Sequence, residues 1–243
     1  MRVTMSQIPW LSAENNNFPP TSTALSKPNG LLAVGGDLNP SRLINAYHLG
    51  IFPWFDELQP LLWWSPDPRS VIIPENIHIS RSLRKTIRSG RFKVTADTCF
   101  NRVIELCSKT RNEVAGTWIT DEMKAAYNAL HSMGYAHSIE TWNNDQQLVG
   151  GLYGLALGRV FFGESMFSLE SDASKTAFVA LTSNLRRQGY VLIDCQIESG
   201  HMNSLGATNI SRERFESMLR DNTNRPSTKS NWQTEFNWTS EQS

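Results

Sequence analysis

An α+β fold follows from three features of the chain. Three strand-like runs are separated by tight polar turns, capped helices precede and follow them, and the first ~70 residues carry neither pattern. The runs cover 136–142, 148–157 and 160–167. Asn143-Asn144-Asp145 and Gly158-Arg159 sit between them as turns, so the three read as an antiparallel meander. Helices alternate with a further strand after the meander. The expected result is a mostly antiparallel sheet flanked by helices, with a small N-terminal domain in front.

Residues 1–70 are rich in proline, glycine and aromatics and are read as that small domain. One helix fits there, with Ser41 as N-cap, Leu43, Ala46 and Tyr47 on one face, and Gly50 as its stop; the rest is turns and short strands. Residues 71–243 form the larger domain, with a polar tail from about 221 that is frayed or loosely docked. Within it, Ser80 caps a helix that Gly90 ends. A second helix starts near Asp97 and buries Phe100, Val103, Ile104 and Cys107. A third starts at Thr120 and buries Met123, Tyr127 and Leu130, with Gly134 just past its end. After the meander come a helix over 171–188 with Phe178, Leu181 and Leu185 on its apolar face, a buried strand over 190–195, and a last helix over 211–220.

Composition excludes several classes. Of 243 residues, 40% are hydrophobic and 19% charged, which fits a folded chain and argues against wholesale disorder. No run approaches the ~18 apolar residues of a spanning helix, and the N-terminus carries no apolar signal region. Three cysteines without a CxxC pair suit reduced thiols in a cytoplasmic protein. Lys plus Arg (23) balance Asp plus Glu (23), so a polyanion would have to be held by a local patch rather than by the global field.

Such a patch exists. Arg81, Arg84, Lys85 and Arg88 share one helix face, and Arg91 and Lys93 extend it, with no acidic residue from Asn76 to Ala96. Like charges at these spacings repel, so the face suits an anion such as a phosphate backbone; an ordinary basic surface helix is the other reading. Glu164 lies inside an apolar strand, and alternation puts it on one face with Met166. It is either an edge glutamate or a group facing a cleft. Asp194 closes the run Val191-Leu192-Ile193, with Gln196 two residues on; it either caps the next turn or belongs to a site at the strand end. Gly150-Gly151 and Gly154 within a strand imply close backbone approach. HExxH, Gx4GK[ST], GxGxxG and GxSxG are all missing, so no metal, nucleotide cofactor or serine triad is expected.

Ordered motifs complete the reading. Among them are Pro28-Asn29-Gly30-Leu31-Leu32, Gly50-Ile51-Phe52-Pro53-Trp54, Trp63-Trp64-Ser65-Pro66-Asp67-Pro68-Arg69, Gly116-Thr117-Trp118-Ile119-Thr120, Ala136-His137-Ser138-Ile139-Glu140, Gly163-Glu164-Ser165-Met166-Phe167, Ala173-Ser174-Lys175 and Asp194-Cys195-Gln196. From about Phe18 to Leu219 the chain resembles the bacterial leucyl/phenylalanyl-tRNA–protein transferases. The resemblance implies a catalytic domain similar to the acetyl-CoA-dependent N-acetyltransferases. It also implies a cytoplasmic, monomeric, cofactor-free enzyme that moves Leu or Phe, and weakly Met, from Leu-tRNA and Phe-tRNA to proteins with N-terminal Arg or Lys, marking them for degradation. Its chemistry would be direct aminolysis of the tRNA ester. Asp194 would draw the amine's proton, directly or through hydrogen bonds, Gln196 would position the reacting groups, and Glu164 would hold the acceptor. Trp54, Trp118, Met166, Leu181 and Ile193 would line the aminoacyl pocket, and Arg81, Arg84, Lys85 and Arg88 would bind tRNA. One rival is an acetyl-CoA N-acetyltransferase, but the stretch before the long helix lacks that family's [QR]xxGx[GA] loop. The other is a non-catalytic RNA-binding module, which leaves Glu164, Asp194 and Gln196 without a purpose.

Overall fold

The computed structural model describes residues 8–115, 119–225, 232–236 and 238. Four short strands, β1 (Trp10–Leu11), β2 (Leu31–Gly35), β3 (Phe52–Pro53) and β4 (Leu62–Trp64), form a small sheet in the order β1-β2-β4-β3, and helix α1 (Pro40–His48) lies between β2 and β3 in sequence. The large sheet contains β5 (Arg69–Ile72), β6 (Lys93–Ala96), β7 (Ala136–Trp142), β8 (Leu148–Leu157), β9 (Val160–Ser168), β10 (Leu192–Gln196) and β11 (Thr208–Ile210), in the order β11-β5-β10-β9-β8-β7-β6. Every neighbouring pair is antiparallel except β9 and β10. The expected α+β class with a mostly antiparallel sheet is thus observed. The helices that accompany it are α2 (Arg81–Arg88), α3 (Phe100–Ala115), α4 (Asp121–Ser132), α5 (Ala173–Arg187), α6 (Gly200–Asn203), α7 (Arg212–Asn222) and α8 (Trp232–Glu235).

Alternation along the strands feeds two apolar clusters, one on each face. Tyr153, Leu155 and Phe162 point into a cluster with Leu43 and Tyr47 of α1, Phe100 and Val103 of α3, Tyr127 of α4 and Phe215 of α7. Leu32 and Trp63 of the small sheet belong to the same cluster, so this core runs from the first seventy residues into the rest of the chain. On the other face, Leu152, Phe161 and Ile193 meet Leu83 of α2 and Phe178 and Leu181 of α5.

Capping follows the sequence at several termini. Ser80 accepts from the Leu83 amide at 3.2 Å and Thr120 from the Met123 amide at 3.2 Å. At α1 the cap is Asn39, not Ser41, because Pro40 takes the first helical position, where its missing N–H is no loss. Helix α3 begins only at Phe100. Asp97 is left-handed (φ 53°) and its carboxylate accepts from the Ser138 amide at 2.8 Å instead of capping the helix. Helix α5 is buried nearly all round rather than along a stripe, since it lies between the sheet and α2. The tail is docked at one point at least: Trp232 is buried and stacks on His137 at 4.1 Å between ring centres. A Cβ at Gly154 would sit 2.1 Å from the Phe162 carbonyl oxygen, the close approach expected of a glycine in that strand.

Candidate active site

A cavity of about 540 Å³ opens between β9, β10 and the start of α5, with Trp54 from the N-terminal region at its edge. Phe161, Met166, Phe178, Leu181 and Ile193 give it apolar walls, and Glu164, Asp194 and Gln196 are among the polar groups that line it. The structure therefore brings together all of the sequence-derived candidates for chemistry and pocket except Trp118, which lies outside the described residues.

Two β-bulges aim the polar groups. Tyr153 pairs with Ser165 while Gly154 pairs with Gly163, which leaves Glu164 as the extra residue of β9. Its side chain points toward the cluster of Tyr47 and Tyr127, and Met166 packs into the opposite cluster. The simple alternation that put Glu164 and Met166 on one face fails here because the bulge resets the phase. A second bulge falls between Asp194 and Gln196, which oppose Val71 and Ser70 of β5, and Gln196 takes a left-handed backbone (φ 57°).

Glu164 is 8% exposed and Asp194 is fully buried, and their partners differ. Tyr47 donates to Glu164 Oε1 at 2.7 Å and Tyr127 donates to Oε2 at 2.9 Å, with the two phenol oxygens lying against each other. Gln196 Nε2 donates to Glu164 Oε1 at 3.2 Å. Asp194 is instead gripped by Arg69, whose Nε and Nη2 donate to Oδ1 and Oδ2 at 2.8 and 2.7 Å. The Arg69 guanidinium also donates to the Gly50 carbonyl at 3.0 Å and lies over the rings of Phe52 and Phe215, 4.8 and 4.5 Å from their centres. Asp194 Oδ1 further accepts the Gln196 amide at 2.9 Å, which ties down the left-handed residue.

These surroundings set the protonation chemistry. Burial pushes the Glu164 carboxyl up to about 7, with the nearby Asp194 charge adding to the rise and the hydrogen bonds from Tyr47 and Tyr127 opposing it. Burial first, and the Glu164 charge second, hold Tyr47 and Tyr127 well above the usual phenol range, so both remain donors. Burial likewise raises the Cys195 thiol.

Comparison with known proteins decides the family. The model of the leucyl/phenylalanyl-tRNA protein transferase family matches residues 71–220, and that of the family's N-terminal domain matches 36–67. A protein named leucyl/phenylalanyl-tRNA–protein transferase from Nitrosospira multiformis is 56% identical over 214 residues, which cover 88% of this chain and 91% of that one. The chain belongs to the leucyl/phenylalanyl-tRNA protein transferase family. A relative of the same name from Pseudomonas entomophila is 55% identical across 90% of this chain and 96% of its own. Among solved structures, that of L-PGS from Bacillus licheniformis is 10% identical with a TM-score of 0.41, covering 78% of this chain and 59% of that one.

In this family member the basic helix is where the sequence puts it. Leu83 and Ile87 face the core, while Arg81, Arg84, Lys85 and Arg88 are exposed and form no ion pair among the described residues. Helix α2 packs on α5, and Thr86 donates to Asp172 at 2.9 Å. Asp172 immediately precedes α5, whose Ser174 lines the cavity, so the cationic face and the cavity are joined through one helix terminus. The patch is shorter than expected. Arg91 pairs with Glu170, which comes from the end of the meander, and Lys93 belongs to edge strand β6. An acid-free stretch of sequence says nothing about acids brought in from another element.

Arg69, Tyr47 and Tyr127 are site residues that sequence reasoning missed. Tyr47 and Tyr127 read as core positions on helix faces; the one available signal was that a buried phenol needs a polar partner. Arg69 follows Asp67-Pro68 and looks like a loop cation. Only the fold reveals that it starts β5, the strand beside the one that carries Asp194.

Proposed function

We propose that this transferase moves leucine or phenylalanine from the 3′ end of tRNA to a protein whose first residue is arginine or lysine, by direct aminolysis in the cavity. Supporting this is one arrangement: an apolar hollow ends in a polar cluster of Glu164, Gln196 and Asp194, and α2, which exposes Arg81, Arg84, Lys85 and Arg88, packs on α5, the helix whose start lines that hollow. The ester is already activated. The enzyme has only to align two substrates, manage the amine's proton and favour the developing oxyanion.

In this reading Arg81, Arg84, Lys85 and Arg88 hold the acceptor stem by its phosphates. The aminoacyl side chain fills the space between Trp54, Met166, Leu181 and Ile193, with Trp118 as a further wall residue. An apolar pocket separates side chains that differ by a methylene by only ~1–3 kcal/mol, so Leu, Phe and weakly Met are all accepted. Glu164, with its raised carboxyl, faces the acceptor's N-terminus, Gln196 positions the reacting groups, and the hydrogen-bonded network that joins Glu164, Gln196 and Asp194 receives the proton. Residues 1–70 act as a small domain that delivers Trp54, and 71–243 as the catalytic domain. The enzyme works as a cytoplasmic monomer; no described helix is long and apolar enough to cross a membrane.

One experiment tests the reaction. The protein is given an arginine-starting peptide with either labelled Leu-tRNA or labelled acetyl-CoA. Leucyl label on the peptide is the expected result. Label moving from acetyl-CoA, or from neither donor, refutes the reading.

A further inference from the structure

The two carboxylates at the cavity floor are held in ways that give them different capacities. Asp194 has no exposed surface, both of its oxygens are taken by the Arg69 fork, and one of them also accepts the Gln196 amide. Moving a proton onto it would break a buried bidentate pair and strand the guanidinium between Phe52 and Phe215. Among the described residues, Glu164 has no cationic partner within hydrogen-bond distance. Its three side-chain donors are neutral, two phenols and an amide, and one of them, Gln196, lines the cavity with it. A carboxylate held only by neutral donors can gain and lose a proton without breaking an ion pair.

We propose that Glu164 is the group that takes the acceptor's proton, and that Arg69 and Asp194 are positioning residues that fix Gln196. The proposal rests on the aminoacyl-transfer reading above. The neutral α-amine attacks the ester carbonyl, a C–N bond forms, and the carbonyl π pair moves to oxygen. Glu164 removes one proton from the resulting ammonium nitrogen. As the C–O bond to the ribose breaks, the same proton passes from Glu164 to the ribose oxygen, leaving an amide, a free tRNA hydroxyl and an ionised Glu164. The charge balance closes without any further reactant. A base near 7 suits both halves of this cycle, because it can accept from an alkylammonium and then release to an alkoxide-like oxygen.

The groups that face Glu164 are Tyr47 from α1, Tyr127 from α4, Asp194 and Gln196 from β10, and Arg69 from β5. Tyr153 of β8 stands behind the two phenols, and Cys195 and His201 line the same cavity. Tyr47 and Tyr127 stabilise the ionised form, so removing either hydroxyl raises the Glu164 value further.

The test is the pH dependence of single-turnover leucine transfer to an arginine-starting peptide by the full chain, with thermal unfolding and Leu-tRNA binding measured alongside. Wild-type protein that transfers no leucine sinks the underlying reading and this one together. Given transfer, the acceptor amine contributes the same limb in every variant, so differences between variants belong to the enzyme. Glu164→Gln is expected to lower the rate about 10²–10⁴-fold and to lose the limb near 7. Asp194→Asn is expected to be slower but to keep that limb. Tyr47→Phe, which changes no charge and covers the case of a misfolded Glu164→Gln, is expected to move the limb to higher pH. A limb that survives in Glu164→Gln, disappears in Asp194→Asn, or stays in place in Tyr47→Phe overturns the assignment.

Discussion

Two glutamates are buried on strands that flank β8, and they illustrate what burial does and does not imply. Glu140, on β7, is fully enclosed. Thr95 and Thr98 donate hydroxyls to Oε2 at 2.6 and 2.7 Å, the Thr98 amide adds a longer bond at 3.4 Å, and Ser138 donates to Oε1 at 2.5 Å. Glu164, on β9, has fewer donors and a cavity in front of it. Both satisfy the rule that a buried carboxylate needs partners. Only Glu164 has somewhere for a substrate proton to come from. An opening onto space, rather than burial among neutral donors, which both share, distinguishes a chemically usable carboxylate from a structural one.

The largest difference expected between them is in rate. Glu140→Ala, assayed below its unfolding temperature, keeps turnover close to wild type, whereas Glu164→Gln loses about 10²–10⁴-fold. A comparable loss from both, with both variants folded, would erase the distinction.

Stability should divide them in the other direction. Glu140→Ala strands the buried Ser138 hydroxyl and is expected to lose about 1–3 kcal/mol if that hydroxyl finds no new partner, read as a lower denaturant midpoint. Glu164 carries a pH signature of its own. Its carboxyl ionises near 4.5 when unfolded and near 7 when folded, so the folded state binds more protons between those values. Stability contributed by this group is present below 4.5 and falls as pH rises toward 7. Glu164→Gln should flatten that part of the stability profile.

Sequence pattern went a long way toward this site, and its failures have physical causes. The meander strands, the caps at Ser80 and Thr120, the cationic face of α2 and the apolar faces of α3 and α4 were legible because periodicity and capping are local. Glu164, Asp194 and Gln196 stood out as polar groups in apolar runs. What could not be read was direction and partnership. The bulge at Glu164 adds one residue and reverses the face assigned to Met166. Arg69 meets Asp194 across 125 positions of sequence. Strands of two to five residues in the N-terminal sheet are too short to show a period, and β6 was hidden within a basic stretch.

The next effect tests the apolar wall against the polar floor. Met166 lies across the sheet from Glu164 but lines the same cavity. Met166→Ala enlarges the wall without touching any donor to Glu164. The Phe/Leu ratio of kcat/KM is expected to shift toward Phe, by an amount within the ~1–3 kcal/mol that such pockets discriminate, while the limb near 7 stays. An unchanged ratio removes Met166 from side-chain selection.

The smallest effect per residue belongs to the region least like the cavity floor. Arg69 is buried, held by Asp194, the Gly50 carbonyl and the rings of Phe52 and Phe215, and its fork orients the floor; Arg81, Arg84, Lys85 and Arg88 are exposed and have no acidic partner among the described residues. Cations on a solvated face act mainly through released counterions. Each one neutralised should therefore raise KM for Leu-tRNA modestly and reduce the slope of log binding against log salt by about 0.7–0.9 for every phosphate left without its cation. A minimal aminoacyl-adenosine lacks the phosphates and should react with these variants as it does with wild type. Arg69→Lys should do the opposite: it breaks the fork on Asp194 and slows both substrates alike, with the salt slope intact. If the helix variants slow the minimal substrate as much as the full tRNA, α2 shapes the cavity rather than docking the nucleic acid.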